Sequence, residues 1–169
     1  MKIAVTCMAF LLFAVSNARA QLNAYFVNVG QGDAIYLEFP NGTNALIDGG
    51  PSGEPIYKFL KDKGVTKLDR VVLTHPHSDH YRGLKKVFNS FEVDKYYDTR
   101  AENVDAKGDN NLRELAEAEP GCRTLYPEPG SNLNWDSNVT VKVLNSCSSA
   151  VQMHDNDETN NCSLVLRVY

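Results

Sequence analysis

Positive charge, cysteine and long apolar runs are all scarce in this 169-residue chain, and each scarcity narrows its function. Lys and Arg number 17 against 21 Asp and Glu. Non-specific binding to nucleic-acid phosphates draws on clustered basic side chains, so an acidic balance disfavours DNA as a partner. Only one stretch is apolar at length, Ile3 to Val15, and it is too short to span a bilayer. No internal repeat and no low-complexity linker interrupts the remainder, so a single domain is the reading for this length.

The apolar stretch has the make-up of a secretory signal. Lys2 supplies a positive n-region, and Ala18-Arg19-Ala20 puts small residues where a signal peptidase reads, which places the cut before Gln21. Residues 1–20 are therefore expected to be removed and residues 21–169 to form the mature domain, secreted or periplasmic. No cysteine sits at the junction, so a lipid anchor is not expected, nor any membrane association after cleavage. Loss of Lys2 and Arg19 leaves 15 basic residues against 21 acidic ones, a net charge of −6.

Of the four cysteines, Cys122, Cys147 and Cys162 survive cleavage into a compartment where disulfides persist. One pair and one free thiol is the simplest reading. Spacing leaves the pairing open, with Cys122–Cys147 preferred, and Cys162 has no His or Cys at ligand spacing. Sequons occur at Asn41-Gly42-Thr43, Asn138-Val139-Thr140 and Asn161-Cys162-Ser163, and matter only in a eukaryotic secretory pathway.

Hydropathy periodicity predicts an α/β chain. Leu22 to Val29 and Ala34 to Phe39 read as a hairpin around Gly30-Gln31-Gly32-Asp33, and Pro40-Asn41-Gly42-Thr43 turns into a third strand at Ala45-Leu46-Ile47. Pro55, Ile56, Phe59 and Leu60 predict a helix stopped by Gly64. Leu68 to Leu73 reads as a strand buried on both faces, and Leu84, Val87 and Phe88 mark a helix face. Further strands are expected at 93–97, 123–126, 139–144 and 164–168, with a helix at 112–118. The polar stretch from Gln152 to Asn161 reads as an exposed loop.

The chemistry is concentrated at Thr74-His75-Pro76-His77-Ser78-Asp79-His80. Three of the four histidines and an aspartate fall within six residues, just past a buried strand. His75 and His77 flank a rigid proline and suit one ion, because neutral imidazole nitrogen binds zinc at about 2.0–2.1 Å. Asp79 and His80 are better placed to hold a second ion. Two ions imply a hydrolase, since they lower the pKa of a bridging water and polarise a carbonyl or phosphoryl oxygen. The bland alternative makes Asp79 a helix N-cap and His80 a surface residue of the first turn.

His-x-His-x-Asp-His followed by Gly83-Leu84 resembles the signature of the metallo-β-lactamase superfamily. Val29-Gly30-Gln31-Gly32-Asp33-Ala34, Leu46-Ile47-Asp48-Gly49-Gly50 and Asn160-Asn161-Cys162-Ser163-Leu164-Val165-Leu166 further resemble the hydrolase-like domain of ComEC-type competence proteins and its free-standing secreted relatives. The resemblance implies an α/β sandwich of the αββα type and two zinc ions, with manganese as the alternative. His75 and His77 would hold the first ion, Asp79 and His80 the second, with Asp79 and Asp48 as catalytic carboxylates. Asp48 matches the acidic residue that ends an early strand and steadies the metal loop. Asp33 reads either as a residue orienting the site or as a turn residue.

Relatives of this kind continue past the Leu-Val-Leu strand to a Gly-Asp, whose carboxylate bridges the ions, and to a further histidine. This sequence reaches Tyr169 before either, so the resemblance implies a domain incomplete at its C-terminus. His154 stands in the polar stretch where a third ligand of the first ion is not reliably found, and Asn28 replaces an acidic residue. The expected function is a secreted or periplasmic hydrolase acting through metal-bound hydroxide on a small molecule or phosphodiester. The alternative is a truncated or degenerate relative without catalysis, a binding module or an inactive fragment.

Overall fold

The computed structural model describes residues 21–104, 108–147 and 152–169. The expected signal segment at residues 1–20 lies outside the described residues. The expected meander forms: β1 (Asn23–Phe26) pairs antiparallel with β2 (Ile35–Glu38), and β2 with β3 (Asn44–Ile47). The chain then alternates. It runs through α1 (Gly53–Asp62), β4 (Lys67–Leu68), β5 (Val71–Val72), α2 (Ser78–Phe88), β6 (Glu92–Val93), β7 (Lys95–Tyr97), β8 (Glu102–Asn103), α3 (Gly108–Ala118) and β9 (Arg123–Leu125). It finishes with β10 (Asn132–Leu133), β11 (Val141–Asn145), β12 (Gln152–Met153), α4 (Asn156–Asn161) and β13 (Val165–Val168).

The main sheet has the order β1-β2-β3-β5-β7-β9, with β3, β5, β7 and β9 parallel. A second sheet, β10-β11-β13, is antiparallel. The period-2 alternation of the strands divides their side chains between two cores. Tyr36, Leu46, Val71 and Tyr96 point to α1, α2 and α3, among Ile56, Leu60, Leu84, Val87 and Leu112. Leu37, Ala45, Val72 and Tyr97 point the other way, onto Trp135, Val141, Val143 and Leu164. Each fully buried aliphatic side chain of this kind contributes about 1.5–3 kcal/mol of transfer free energy. Helices, sheet and second sheet are three layers of the expected α/β sandwich, among the described residues.

Four expectations need correction. The strand expected at 93–97 is not a single one: Val93 ends β6 in a small sheet with β4, while Lys95–Tyr97 enters the main sheet beside β5. Leu68 to Leu73 is not one strand: Leu68 pairs with Val93 in a separate small sheet, and only Val71–Val72 enters the main one. The break is held by Asn44, whose side chain donates to the Lys67 carbonyl and accepts from Asp69 N–H, while Asp69 accepts from Asn44 N–H. The polar stretch at 152–161 is a short strand and a helix, because Asp155 caps α4 by accepting from Glu158 N–H at 2.8 Å. The disulfide joins Cys147 to Cys162, leaving Cys122 free. Among the described residues no helix is long and apolar enough to cross a membrane.

Candidate metal centre

Parallel strands deliver their C-terminal ends to one edge of the sheet, where α/β folds hold ligands. Here Asp48 directly follows β3, and β5 leads through Leu73 into the histidine motif. Asp48 is fully buried and adopts φ 58°, a left-handed conformation that Asp tolerates better than most residues and that folds its carboxylate back under Thr74. Such backbone strain costs about 1–3 kcal/mol and clusters at functional sites.

The Asp48 carboxylate organises the motif. One oxygen accepts from Thr74 N–H at 2.8 Å; the other accepts from the Thr74 hydroxyl at 2.6 Å and stands 2.8 Å from His80 Nδ1. An ionised carboxylate only accepts, so both hydrogens lie on its partners. Thr74 has a single hydroxyl proton, committed to Asp48. Its oxygen, 3.0 Å from His75 Nδ1, therefore accepts from that nitrogen. His75 and His80 thus both donate from Nδ1, which in the neutral ring leaves the Nε2 lone pair for a ligand, the arrangement by which buried carboxylates and hydroxyls prepare imidazoles as metal ligands.

His77 closes a tight turn around Pro76 by donating its backbone N–H to the His75 carbonyl at 2.9 Å. The His75 ring lies 4.8 Å from His77 and 4.0 Å from His80 between centroids. His77 Nε2 is buried and has no hydrogen-bond partner. A buried ring nitrogen left empty costs about 1–3 kcal/mol, so it points to a ligand that the protein chain does not supply. The donor chemistry therefore fits a divalent cation. Complete ligation does not follow from it: among the described residues no three His, Cys, Asp or Glu side chains converge as a metal cage.

Asp79 sits in the first turn of α2, whose N-cap is His77, so the N-cap reading of Asp79 is excluded. Gln31 donates to its carboxylate at 3.4 Å, and the backbone of Gly32 abuts it so closely that a Cβ there would lie 2.0 Å from the Asp79 carbonyl oxygen. His154 is exposed, and its backbone N–H donates to Glu158; it does not line the cleft in front of His75 and His80. Asn28 accepts from Gly30 N–H, a local turn contact.

Burial, helped by the neighbouring His80, pushes the His75 pKa down to about 4, which keeps the ring neutral at physiological pH. Burial also works against the His80 cation. There the Asp48 hydrogen bond and charge outweigh it, and His80 titrates above its ordinary value.

A cleft of about 380 Å³ opens in front of the cluster, bounded by Asp33, Asp48, Thr74, His75 and His80 and by apolar side chains of β1, β2, β3 and β13. Leu164 N–H donates to the Thr74 carbonyl at 2.7 Å, so the lead into β13 is tied to the motif itself. Sequence reasoning gave no role to Thr74 or Gln31. Thr74 carried a weak signal, a hydroxyl residue directly before the first histidine; Gln31 stood in the Gly-Gln-Gly-Asp run, but nothing there pointed to Asp79, 48 positions away.

No curated protein matches this chain. Among solved structures, the metallo-β-lactamase fold protein YhfI from Bacillus subtilis is similar with a TM-score of 0.55 at 14% identity, over 88% of this chain and 57% of that one. This chain thus spans little more than half the length of that structure. A diphosphatase from the PhnP family (TM-score 0.47, 15% identity, 72% and 55% covered) and the Rm3 metallo-β-lactamase (0.46, 19%, 72% and 48%) also match. The model of the metallo-β-lactamase superfamily matches residues 27–139, from the end of β1 through the histidine motif to the lead into β11. With most of its described strands and the whole His-x-His-x-Asp-His run inside that match, the chain belongs to the metallo-β-lactamase superfamily.

Proposed function

We propose that this chain is a secreted or periplasmic metal-dependent hydrolase that cleaves esters, phosphodiesters among them. His75, His77, Asp79 and His80 would hold divalent cations, zinc first and manganese as the alternative. The observation that carries the reading is the hydrogen bonding around Asp48, which engages Nδ1 of both His75 and His80 and leaves Nε2 of each ring for a ligand, together with the buried, unpartnered Nε2 of His77. Divalent cations supply Lewis acidity: they make a water nucleophilic near neutral pH and polarise the ester oxygen.

The remaining tasks fall to the chain. Asp48 and Thr74 keep protons on the outer nitrogens of His80 and His75, so Asp48 is a positioning residue. Gln31 and Gly32 brace Asp79, and the cleft walls set apolar side chains beside the reacting face. Secretion rests on the leading segment. Kinship with ComEC-type secreted relatives rests on the Gly-Gln-Gly-Asp, Asp-Gly-Gly and Asn-Asn-Cys-Ser runs, and the phosphodiester preference rests on family analogy.

A second reading, a non-catalytic binding module, is favoured by the absence of a converged three-ligand cage among the described residues. The two separate on one experiment: the mature protein, supplied with zinc or manganese, is assayed on bis(p-nitrophenyl) phosphate beside its His75→Ala, His77→Ala variant. Turnover lost in a folded variant supports the hydrolase. Equal turnover in both refutes it, and zinc binding without turnover of phosphoric or carboxylic esters favours the binding module.

A further inference from the structure

The cleft in front of the histidine cluster has two unlike walls. On one side lie the polar groups of the motif with Asp33 and Asp48; among the described residues no lysine or arginine lines the cleft. On the other lies a cross-strand apolar row. Phe26 pairs with Ile35, Ile35 with Ile47, and Ile47 with Val72. Residues paired across neighbouring strands share one face of the sheet, so these four side chains form a continuous strip.

The second sheet covers only part of that strip. Val72 is fully buried beneath it, Ile35 and Ile47 are half-buried, and Phe26 at the edge is 81% exposed. Val165, 43% exposed, and Leu166 of β13 also line the cleft and complete its apolar side. An aromatic residue this exposed, continuous with a cleft that Thr74, His75 and His80 also line, is the pattern of a small-molecule site.

We infer that this cleft selects a small phosphoric or carboxylic ester carrying an aryl or alkyl group next to the scissile bond and at most one negative charge, and that it turns nucleic acids away. The inference rests on the hydrolase reading and names its substrate class. The apolar group lies along Phe26, Ile35 and Ile47 while the ester faces His75 and His80. A polynucleotide draws its affinity from basic side chains beside its phosphates; among the described residues this cleft offers none and presents the exposed carboxylate of Asp33, on a chain of net charge −4. The reaction is plain hydrolysis. Water oxygen bonds to phosphorus or acyl carbon, the bond to the leaving oxygen breaks, one water proton passes to the leaving alcohol and the other stays with the product acid.

The test compares p-nitrophenyl phenyl phosphate with p-nitrophenyl methyl phosphate, monoanions sharing one leaving group. The metal-supplied mature protein is expected to prefer the phenyl ester by about tenfold or more in kcat/KM, since burying an aryl ring supplies at least the discrimination of a methylene. Phe26→Ala, at a site too exposed to endanger folding, is expected to cut that preference at least threefold, mainly through KM. Single-stranded oligonucleotide at a hundredfold excess is expected neither to be cleaved nor to inhibit.

Equal rates on the two esters, a preference untouched by Phe26→Ala, or faster cleavage of the oligonucleotide would each overturn the inference. Should no ester be turned over, the hydrolase reading fails, and binding of diphenyl against dimethyl phosphate by calorimetry still decides the cleft. Tighter diphenyl binding that Phe26→Ala weakens upholds the apolar selectivity; equal binding refutes it.

Discussion

Replacing Gly83 by Ala sets two physical effects against each other. Gly83 lies inside α2, where alanine is the better helix former by about 1 kcal/mol. Its Cβ, however, would sit 1.7 Å from the Gly49 carbonyl oxygen, 2.5 Å from the Gly49 carbonyl carbon and 3.0 Å from the Ser52 carbonyl oxygen. All three are backbone atoms, so no side chain can rotate out of the way. Moving the first contact out to the 3.4 Å where ordinary packing begins separates α2 from the loop after β3. That loop is joined to the helix by Gly49 N–H donating to the His80 carbonyl at 2.8 Å and Gly83 N–H donating to the Gly50 carbonyl at 3.0 Å. Losing two bonds worth about 1 kcal/mol each, with about 1–3 kcal/mol of overpacking, outweighs the propensity gain. Gly83→Ala is expected to destabilise the mature protein by about 2–4 kcal/mol, lowering the urea midpoint by about 1–2 M at an ordinary slope. Urea titration followed by circular dichroism measures it. A midpoint unchanged or raised would refute the close docking of α2 that places Asp79 and His80.

Other consequences are equally open to measurement. His75 titrates near 4 when folded, below the ordinary 6.5, so the unfolded chain takes the proton first; this contribution is complete well above pH 6.5 and is lost as pH falls toward 4. His80, shifted upward, loses its own contribution only as pH rises through its folded value, outside that window. Metal-free protein should therefore lose about 1.5 kcal/mol more than a His75→Gln variant between about pH 6.5 and 5; equal losses would contradict the burial assigned to His75. Thr74→Val removes the hydroxyl linking Asp48 to His75 while keeping shape, and should weaken zinc binding about 10–100-fold with the fold intact; unaltered zinc affinity would show that the tautomer is fixed in some other way. Burial pushes the Cys122 thiol up to about 11, so folded mature protein should react with a disulfide reagent at least about tenfold slower than a free cysteine peptide. Unreduced peptide mapping should recover Cys147 joined to Cys162, and a Cys122–Cys147 peptide would contradict the structure.

The histidine motif and the meander were legible because both are local. Period-2 alternation is written into Tyr36-Leu37 and Ala45-Leu46, and the metal-ligand chemistry falls within six consecutive residues. What stayed hidden depended on partners distant in sequence. The interruption between Leu68 and Val71 is enforced by Asn44, 25 positions from Asp69, which no window over the strand contains. The Asp48 hub requires a left-handed backbone at Asp48 and Thr74 folded onto it from 26 positions away. Helix α4 did carry a signal: Asp155 and Glu158 stand at the spacing of a capping box, and Glu158 accepts from His154 N–H. High polarity concealed it. The disulfide partner of Cys147 is fixed by where α4 ends, which spacing does not encode.

The most direct test of the central claim, that the histidine motif exists to hold divalent cations, is zinc titration of the mature protein by calorimetry at neutral pH, beside the folded His75→Ala, His77→Ala variant. Stoichiometric zinc uptake, approaching two ions per chain and lost in the variant while its circular dichroism is unchanged, is the predicted result. No uptake by the parent protein, or equal uptake by both, would contradict it.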